Sequence, residues 1–346
     1  MPELLSQQIE GAEYCAVGKG VEFGRNARVV GRRVSIGSDT VIGDDVEIKA
    51  DVVQIGSRCK IEGNVKSSWH GGRSKLFVMG DCCFIGLDSR ILVNGFSVGD
   101  YVVLHNHLLV NGDADCTIGN NAWMGQNGIL NANSPLKIGN NVGIGAYSAV
   151  YTHGKFGALI DGCLMHKEAP VVIEDDVCMW RAVVSPGVRV GKRSVLLPGS
   201  VMTKDAPPNS CFGGVPAVNL SARIKTYRSV SMEEKFQMMK EFAAEFLDKE
   251  YPGRCVQRMR GEYIVDMGEE GAFRLLLKRE VKDGDLGGDG PALIVTAKDS
   301  TTRSIPRVSV FDLSSKTYTK WLTGPEVRFM WFLLDSRARF NPVEAK

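Results

Sequence analysis

Large apolar residues return at every sixth position through most of the first two hundred residues of this chain. The series runs Val17, Phe23, Val29; Ile36, Ile42, Ile48; Ile55, Ile61; Val98, Leu104, Val110; Ile118, Met124, Leu130; Ile138, Ile144, Val150; Ile173, Met179; and Val190, Leu196, Met202. A helix repeats near 3.6 residues and a half-buried strand at 2. A six-residue period gives one inward side chain to each short strand of a three-sided prism, three strands to a coil. The Gly, Asn and Asp residues of IGSDTVIGDDVEI and IGNNAWMGQNGIL suit corners that need positive φ or small side chains. Residues 65–97 fit the period poorly and predict irregular coils or a projecting loop.

The rhythm fails a second time in SAVYTHGKFGALIDGCLMHKEAPVVIEDD, residues 148–176. A loop over about 151–170 leaves the prism wall there, with His153 at its start. Loops mounted on a rigid scaffold commonly carry function.

Bulk composition narrows the partners. Lys plus Arg number 42 against 40 Asp plus Glu, a net charge of +2, which gives no reason to expect nucleic acid or an acidic membrane surface. The start lacks the basic and apolar regions of a secretory leader, and no apolar run reaches spanning length, so a soluble cytoplasmic protein without membrane insertion is expected. Nine cysteines, never spaced as CxxC, argue against a disulfide framework or a structural zinc site; most are expected to be small buried apolar residues.

Residues 171–220, VVIEDDVCMWRAVVSPGVRVGKRSVLLPGSVMTKDAPPNSCFGGVPAVNL, carry the sharpest motif. They resemble the closing coils of the hexapeptide-repeat acyltransferases, the CoA-dependent enzymes that acetylate galactosides, maltose, serine, antibiotics and surface-polysaccharide sugars. The resemblance implies a mainly β chain with a left-handed parallel β-helix over about 15–220. It also implies acetyl-CoA as acyl donor, no metal, a sugar or glycan acceptor, and a homotrimer with active sites between subunits.

In that family the catalytic histidine opens the loop ahead of the closing coils, the position of His153. An imidazole with a pKa near ~6.5 is suited to take a hydroxyl proton at neutral pH. Read alone, the residue is equally a solvated loop histidine. By the same resemblance Asn127 corresponds to an asparagine that contacts acceptor or acyl group, although Asn131 and Asn133 lie close by and asparagines are ordinary corner residues. Carry-over of the closing pattern selects Arg181, Pro198, Gly199, Ser200, Thr203 and Lys204 for the CoA arm and nucleotide. Gly214 and Pro216 match the turn against which adenine packs, or simply turn the last coil. Two departures stand out. Cys178 and Trp180 occupy CMW where the family has WIG, so an indole replaces a hydrogen beside the groove. Pro198 removes a backbone donor.

Four further histidines need placing. His105 and His107 form an HxH pair that, on a strand, would put both rings on one side as metal or substrate ligands. The plainer reading is a wall-facing pair touching a neighbouring subunit or the acceptor. His166 ends the loop and is expected to shape the site, while His70 sits in the poorly fitting region. The three-histidine spacing of γ-class carbonic anhydrases, which share the fold, is not reproduced. An O-acetyltransferase is therefore the favoured reading. An N-acetyltransferase on an amino sugar is the nearest alternative, and a metal-dependent hydratase or a non-catalytic scaffold are alternatives of other classes.

Beyond about 225 the pattern changes. A helical stripe follows Ser231, a residue suited to N-capping, and EYIVDM, FRLLLKRE, ALIVTAK, VSVFDLS and KTYTKWL read as strands before a short final helix in GPEVRFMWFLLDSR. This predicts a small α+β domain over 225–346 with no catalytic constellation of its own.

Overall fold

A computed structural model describes residues 8–259, 261–288 and 290–343. They form two compact units that divide between Thr226 and Tyr227. The first unit is a parallel β-solenoid whose short strands stack, coil upon coil, as the walls of a prism, in keeping with a left-handed β-helix. In each complete coil the chain runs along wall two, then wall three, then wall one. One coil illustrates this: Asp115–Ile118, Trp123–Met124 and Ile129–Asn131, followed by Leu136–Ile138 stacked on Asp115–Ile118.

The six-residue series is the core of this prism. Every member from Val29 to Met202 is 7% exposed or less, and Val17 and Phe23 pack half-buried against them. The corners show both of the needs expected from the sequence, and larger residues share the first. Positive φ falls on Asp39, Asp45, Asn64, Asp88, Asn121 and Asn141, but also on Arg58, Tyr101 and Arg193. The glycines of the IG pairs answer a different need. A Cβ on Gly37 would lie 2.4 Å from the Ser57 nitrogen of the next coil. Amide and carboxylate side chains knit the coils: the Asp100 N–H donates to Asn120 Oδ1, Asn120 N–H to Asn140 Oδ1 and Asn140 N–H to Asp175 Oδ1, each at 2.8 Å.

Residues 65–97 are more regular than expected. Ser67, Met79, Ile85 and Ile91 all point into the core. The period is masked because one inward position is a serine and because Ser68–Arg73 project as a turn between the strands Lys66–Ser67 and Ser74–Met79. The Ser67 position tolerates a hydroxyl in an otherwise apolar column.

The second unit carries a seven-stranded sheet in chain order. Its centre is parallel, with Ala272–Val281, Ala292–Asp299 and Val308–Asp312 side by side, and the flanking hairpin strand Glu262–Asp266 is antiparallel to the first of them. The strands Cys255–Met259 and Asn341–Val343 at its margins lay outside the sequence reading. Helix Met232–Glu250 starts at Ser231 in a capping box with Glu234, and buries Phe236, Met239, Ala243, Phe246 and Leu247. Helix Gly324–Leu334 holds the buried Glu326, whose carboxylate accepts from the Ser309 hydroxyl (2.6 Å), the Trp321 N–H (2.8 Å) and the Leu322 N–H (3.2 Å). Burial nevertheless raises the pKa of Glu326 above the ordinary glutamate value.

Cys59, Cys82, Cys83, Cys116 and Cys211 are buried. Loss of hydration pushes the Cys82 and Cys116 thiols up to about 12. Among the described residues no helix is long and apolar enough to cross a membrane.

Candidate functional site

The loop after Val150 is an antiparallel hairpin. His153–Lys155 pairs with His166–Glu168, His153 opposite Glu168 and Lys155 opposite His166, and Lys155 Nζ lies 3.1 Å from Glu168 Oε2. The hairpin leaves the prism at the edge between walls one and two. Its tip is apolar and open to solvent: Ile160 is 94% and Leu164 95% exposed, and Phe156, Leu159 and Met165 are exposed with them.

His153 is half-buried at the base of this hairpin, and its Nδ1 lies 2.7 Å from Asn131 Oδ1. Asn131 is buried on the coil beneath. Its neighbours fix which way the amide points. The Thr152 N–H, which can only donate, is 3.3 Å from Oδ1, while Nδ2 faces the Asn111 carbonyl (3.3 Å) and Asn133 Oδ1 (2.8 Å). Oδ1 is therefore an acceptor, so the neutral imidazole carries its proton on Nδ1 and presents a bare lone pair on Nε2. This arrangement leaves Nε2 able to accept a proton. Asn131 is the residue that the sequence reading set beside Asn127 without a role. The signal that identifies it is the coil register, which stacks the end of strand Ile129–Asn131 beneath the chain leaving Val150.

The other sequence-selected residues divide between two edges. Thr203 and Lys204 follow strand Val201–Met202 and so share the edge of His153, as does His166 on the hairpin. His107, Asn127, Arg181 and Gly199 form the corner between walls three and one, each at positive φ, with His105, Trp180, Pro198 and Ser200 adjoining. Gly214 and Pro216 leave wall three after Cys211–Gly213. One wall separates the two sets, about 13 Å for four extended residues from Asn127 to Asn131. Within one chain, therefore, Asn127 does not meet His153.

Individual roles follow from these surroundings. Trp180 is 61% exposed and lies over Gly145, where a Cβ would stand 2.6 Å from its Cδ1. The Arg181 guanidinium sits 5.8 Å from the centre of the Tyr147 ring, and among the described residues neither Arg181 nor Lys204 forms an ion pair. Ser200 is buried with its hydroxyl turned to the Leu197 carbonyl, which leaves only main-chain groups for a ligand.

The HxH geometry is corrected. His105 lies just past strand Val103–Leu104 and His107 turns the corner with φ 59°, so the pair is not on a strand and the rings part company. His105 Nε2 accepts from Trp123 Nε1 at 3.0 Å, whereas His107 Nδ1 is 3.8 Å from Asp88. Among the described residues no three His, Cys, Asp or Glu side chains gather to hold a metal. A cavity of about 550 Å³ lined by Gln8, Asn26, Arg28, Asp45, Glu47 and Lys66 belongs to the first coils, several rungs from His153; Arg28 pairs with Glu47, Asp45 accepts from Asn26 and Lys66 donates to the Asp45 carbonyl.

A family model described as the hexapeptide repeat of succinyl-transferase matches residues 33–65 and 78–110. The chain thus carries hexapeptide repeats and resembles the acyltransferases built on them. It is 38% identical over 81 residues to a 2,3,4,5-tetrahydropyridine-2,6-dicarboxylate N-acetyltransferase of Staphylococcus aureus, covering 23% of this chain and 30% of that one. The match thus spans less than a third of that relative. Similar solved structures include a maltose O-acetyltransferase from Clostridium difficile 630 (20% identity, 47% of this chain, 70% of that one, TM-score 0.30). They also include the polySia-specific acetyltransferase NeuO (14%, 69% and 99%, TM-score 0.37).

Proposed function

We propose that this chain is an acetyl-CoA-dependent O-acetyltransferase acting on a sugar or glycan hydroxyl, with His153 as general base. The observation that carries the reading is the Asn131–His153 hydrogen bond, which leaves Nε2 free at the root of an exposed hairpin. His153 Nε2 takes the acceptor proton as that oxygen attacks the thioester carbonyl, and returns it to the sulfur as the carbon–sulfur bond breaks. The products are the acetyl ester and free CoA thiol. The residues fit the donor: Lys204 and Arg181, without an ion pair among the described residues, are cations suited to its phosphates, and the open face of Trp180 is suited to apolar contact.

The division of the residues between two edges supports a cyclic homotrimer. A closed ring sets one edge of each copy against a different edge of the next, so His153 of one chain works beside Asn127, Trp180 and Arg181 of its neighbour. The apolar hairpin tip supplies surface for that contact. Transfer to an amine is the second reading, favoured by the similarity to the N-acetyltransferase, since the same base serves both.

The test is thiol release from acetyl-CoA with a panel of sugar, nucleotide-sugar and amino-sugar acceptors. His153→Ala should lower turnover by about 10²- to 10⁴-fold with melting temperature and CoA affinity unchanged. Wild-type turnover in that variant would remove His153 from the chemistry.

A further inference from the structure

On wall three the outward side chains stack in a column. The register sets Phe84 beneath Val103, then Trp123, Gly143, Cys178 and Val195 in succession. Gly143 leaves that column without a side chain. Other solenoid glycines answer to close coil packing, as Gly37 does; on the same wall a Cβ on Gly125 would lie 2.5 Å from the Ala146 nitrogen. Gly143 has no such reason. It sits in the strand Gly143–Ile144 without a positive φ, and a Cβ there would meet only Cys178 Sγ, at an ordinary contact distance of 3.4 Å. Glycine weakens a strand, and where neither conformation nor packing requires it, it marks a place where another group approaches the backbone.

Two exposed indoles border this gap. Trp123 stands one coil below and is 42% exposed, while Trp180, from the coil above, lies over the neighbouring Gly145. Trp123 Nε1 donates to His105 Nε2 at 3.0 Å, so that indole has no free donor to offer, and the half-buried Cys178 closes the gap from above with a weakly polar thiol. An apolar occupant is matched there and a hydroxylated one is not. Two coils separate Trp123 from Cys178, about 10 Å at about 4.8 Å per coil, which leaves room for a short alkyl chain on the Gly143 backbone. The height is also informative. Gly143–Ile144 leads through Ala149–Val150 to His153, so the gap and the base belong to one coil. A cyclic trimer whose axis runs along the prism keeps equal coils at equal height, which sets the gap of one chain level with His153 of the next.

We propose that the Gly143 gap is the acyl pocket of the donor, and that it admits acyl groups longer than acetyl, the class of short-chain acyl-CoA thioesters up to butyryl. The alkyl carbons beyond the carbonyl lie on Gly143 between Trp123 and Cys178, beside Trp180. The identity of the occupant rests on the acyl-transfer reading and its cyclic trimer; the missing side chain is read from the wall alone.

The test measures binding of free CoA, acetyl-CoA, propionyl-CoA and butyryl-CoA to the full-length protein by titration calorimetry, without acceptor, beside thermal melting. Each buried methylene corresponds to about fourfold in affinity, so butyryl-CoA should bind about 15-fold more tightly than acetyl-CoA. Gly143→Val fills the gap with a side chain that the column accepts at Val103 and Val195. It should erase the gain with chain length, hold the affinity for free CoA, and keep or raise the melting temperature. Gly143→Ala, whose Cβ fits at 3.4 Å, should reduce the gain and decides the matter if Gly143→Val fails to fold. Affinity that does not rise from acetyl to butyryl, or that rises as steeply in the Gly143 variants as in wild type, overturns the pocket and leaves the acyl-transfer reading standing. Absence of binding by CoA and all three thioesters overturns the acyl-transfer reading, and the pocket falls with it.

Discussion

In the solenoid strand pairing joins each coil only to the coils above and below it, whereas in the unit that begins at Tyr227 one ring, Phe246, packs on nearby Tyr251 and on Phe329 and Phe332 about eighty residues further along the chain. A stack of rungs is quasi-one-dimensional: stability accumulates rung by rung, and an interruption is accommodated at an edge without disturbing the walls. A shared aromatic core has no such tolerance. The solenoid can therefore carry two excursions on one edge without disturbing its walls. The second unit devotes its buried polar groups to its own integrity, as Glu326 does for the turn before its last helix.

The sharpest way to break this contrast is at two glycines. Gly37→Ala puts a Cβ against the Ser57 nitrogen, main chain that cannot move without moving a coil, and should cost about 3 kcal/mol. Gly284→Ala, in the second unit, meets nothing within 4 Å and should be neutral or slightly stabilising by chemical denaturation. Equal losses at both sites would contradict the close-approach explanation of the solenoid glycines.

A smaller effect is expected at Glu326. Glu326→Ala leaves the Ser309 hydroxyl and two backbone N–H groups without their acceptor and should cost about 2 kcal/mol. The sign of its pH dependence follows from the raised pKa. The folded unit binds this proton more tightly than the unfolded chain, so its contribution is greatest at acid pH and falls as pH rises from the ordinary glutamate value to the raised one. Melting curves across that window should show the slope in wild type and its loss in the variant, with the solenoid transition unmoved.

The smallest effect is at Trp180. Trp180→Gly uncovers Gly145 and should raise the KM for acetyl-CoA by about fivefold with kcat held, because a contact surface acts through binding. A lowered melting temperature with KM and acyl-chain preference unchanged would make the indole a packing element only.

Sequence legibility follows the same division. Side chains that repeat at fixed spacing reveal their environment directly, so the core from Val29 to Met202 was readable residue by residue. Ser67 and the turn after it hid two rungs because one polar side chain and a six-residue insertion suffice to break a period. In the second unit the strands and helices were legible from local pattern, but the marginal strands Cys255–Met259 and Asn341–Val343 are defined by partners far along the chain. The candidate site was half legible. His153 stood out at a break, while Asn131 gains its meaning only when one coil is laid on the next. The HxH pair misled because two letters of separation mean one face only on a strand, and here a corner intervenes.

The central claim is that Asn131 holds His153 with its proton on Nδ1 and its lone pair on Nε2. It is tested most directly by ¹⁵N-detected correlation of the histidine ring nitrogens, assigned with His153→Ala, at a pH high enough to keep the imidazole neutral. The account predicts a protonated Nδ1 and a bare Nε2 for His153, shifting toward tautomer exchange in Asn131→Ala. A His153 ring that carries its proton on Nε2, or that exchanges freely between tautomers with Asn131 intact, would contradict it.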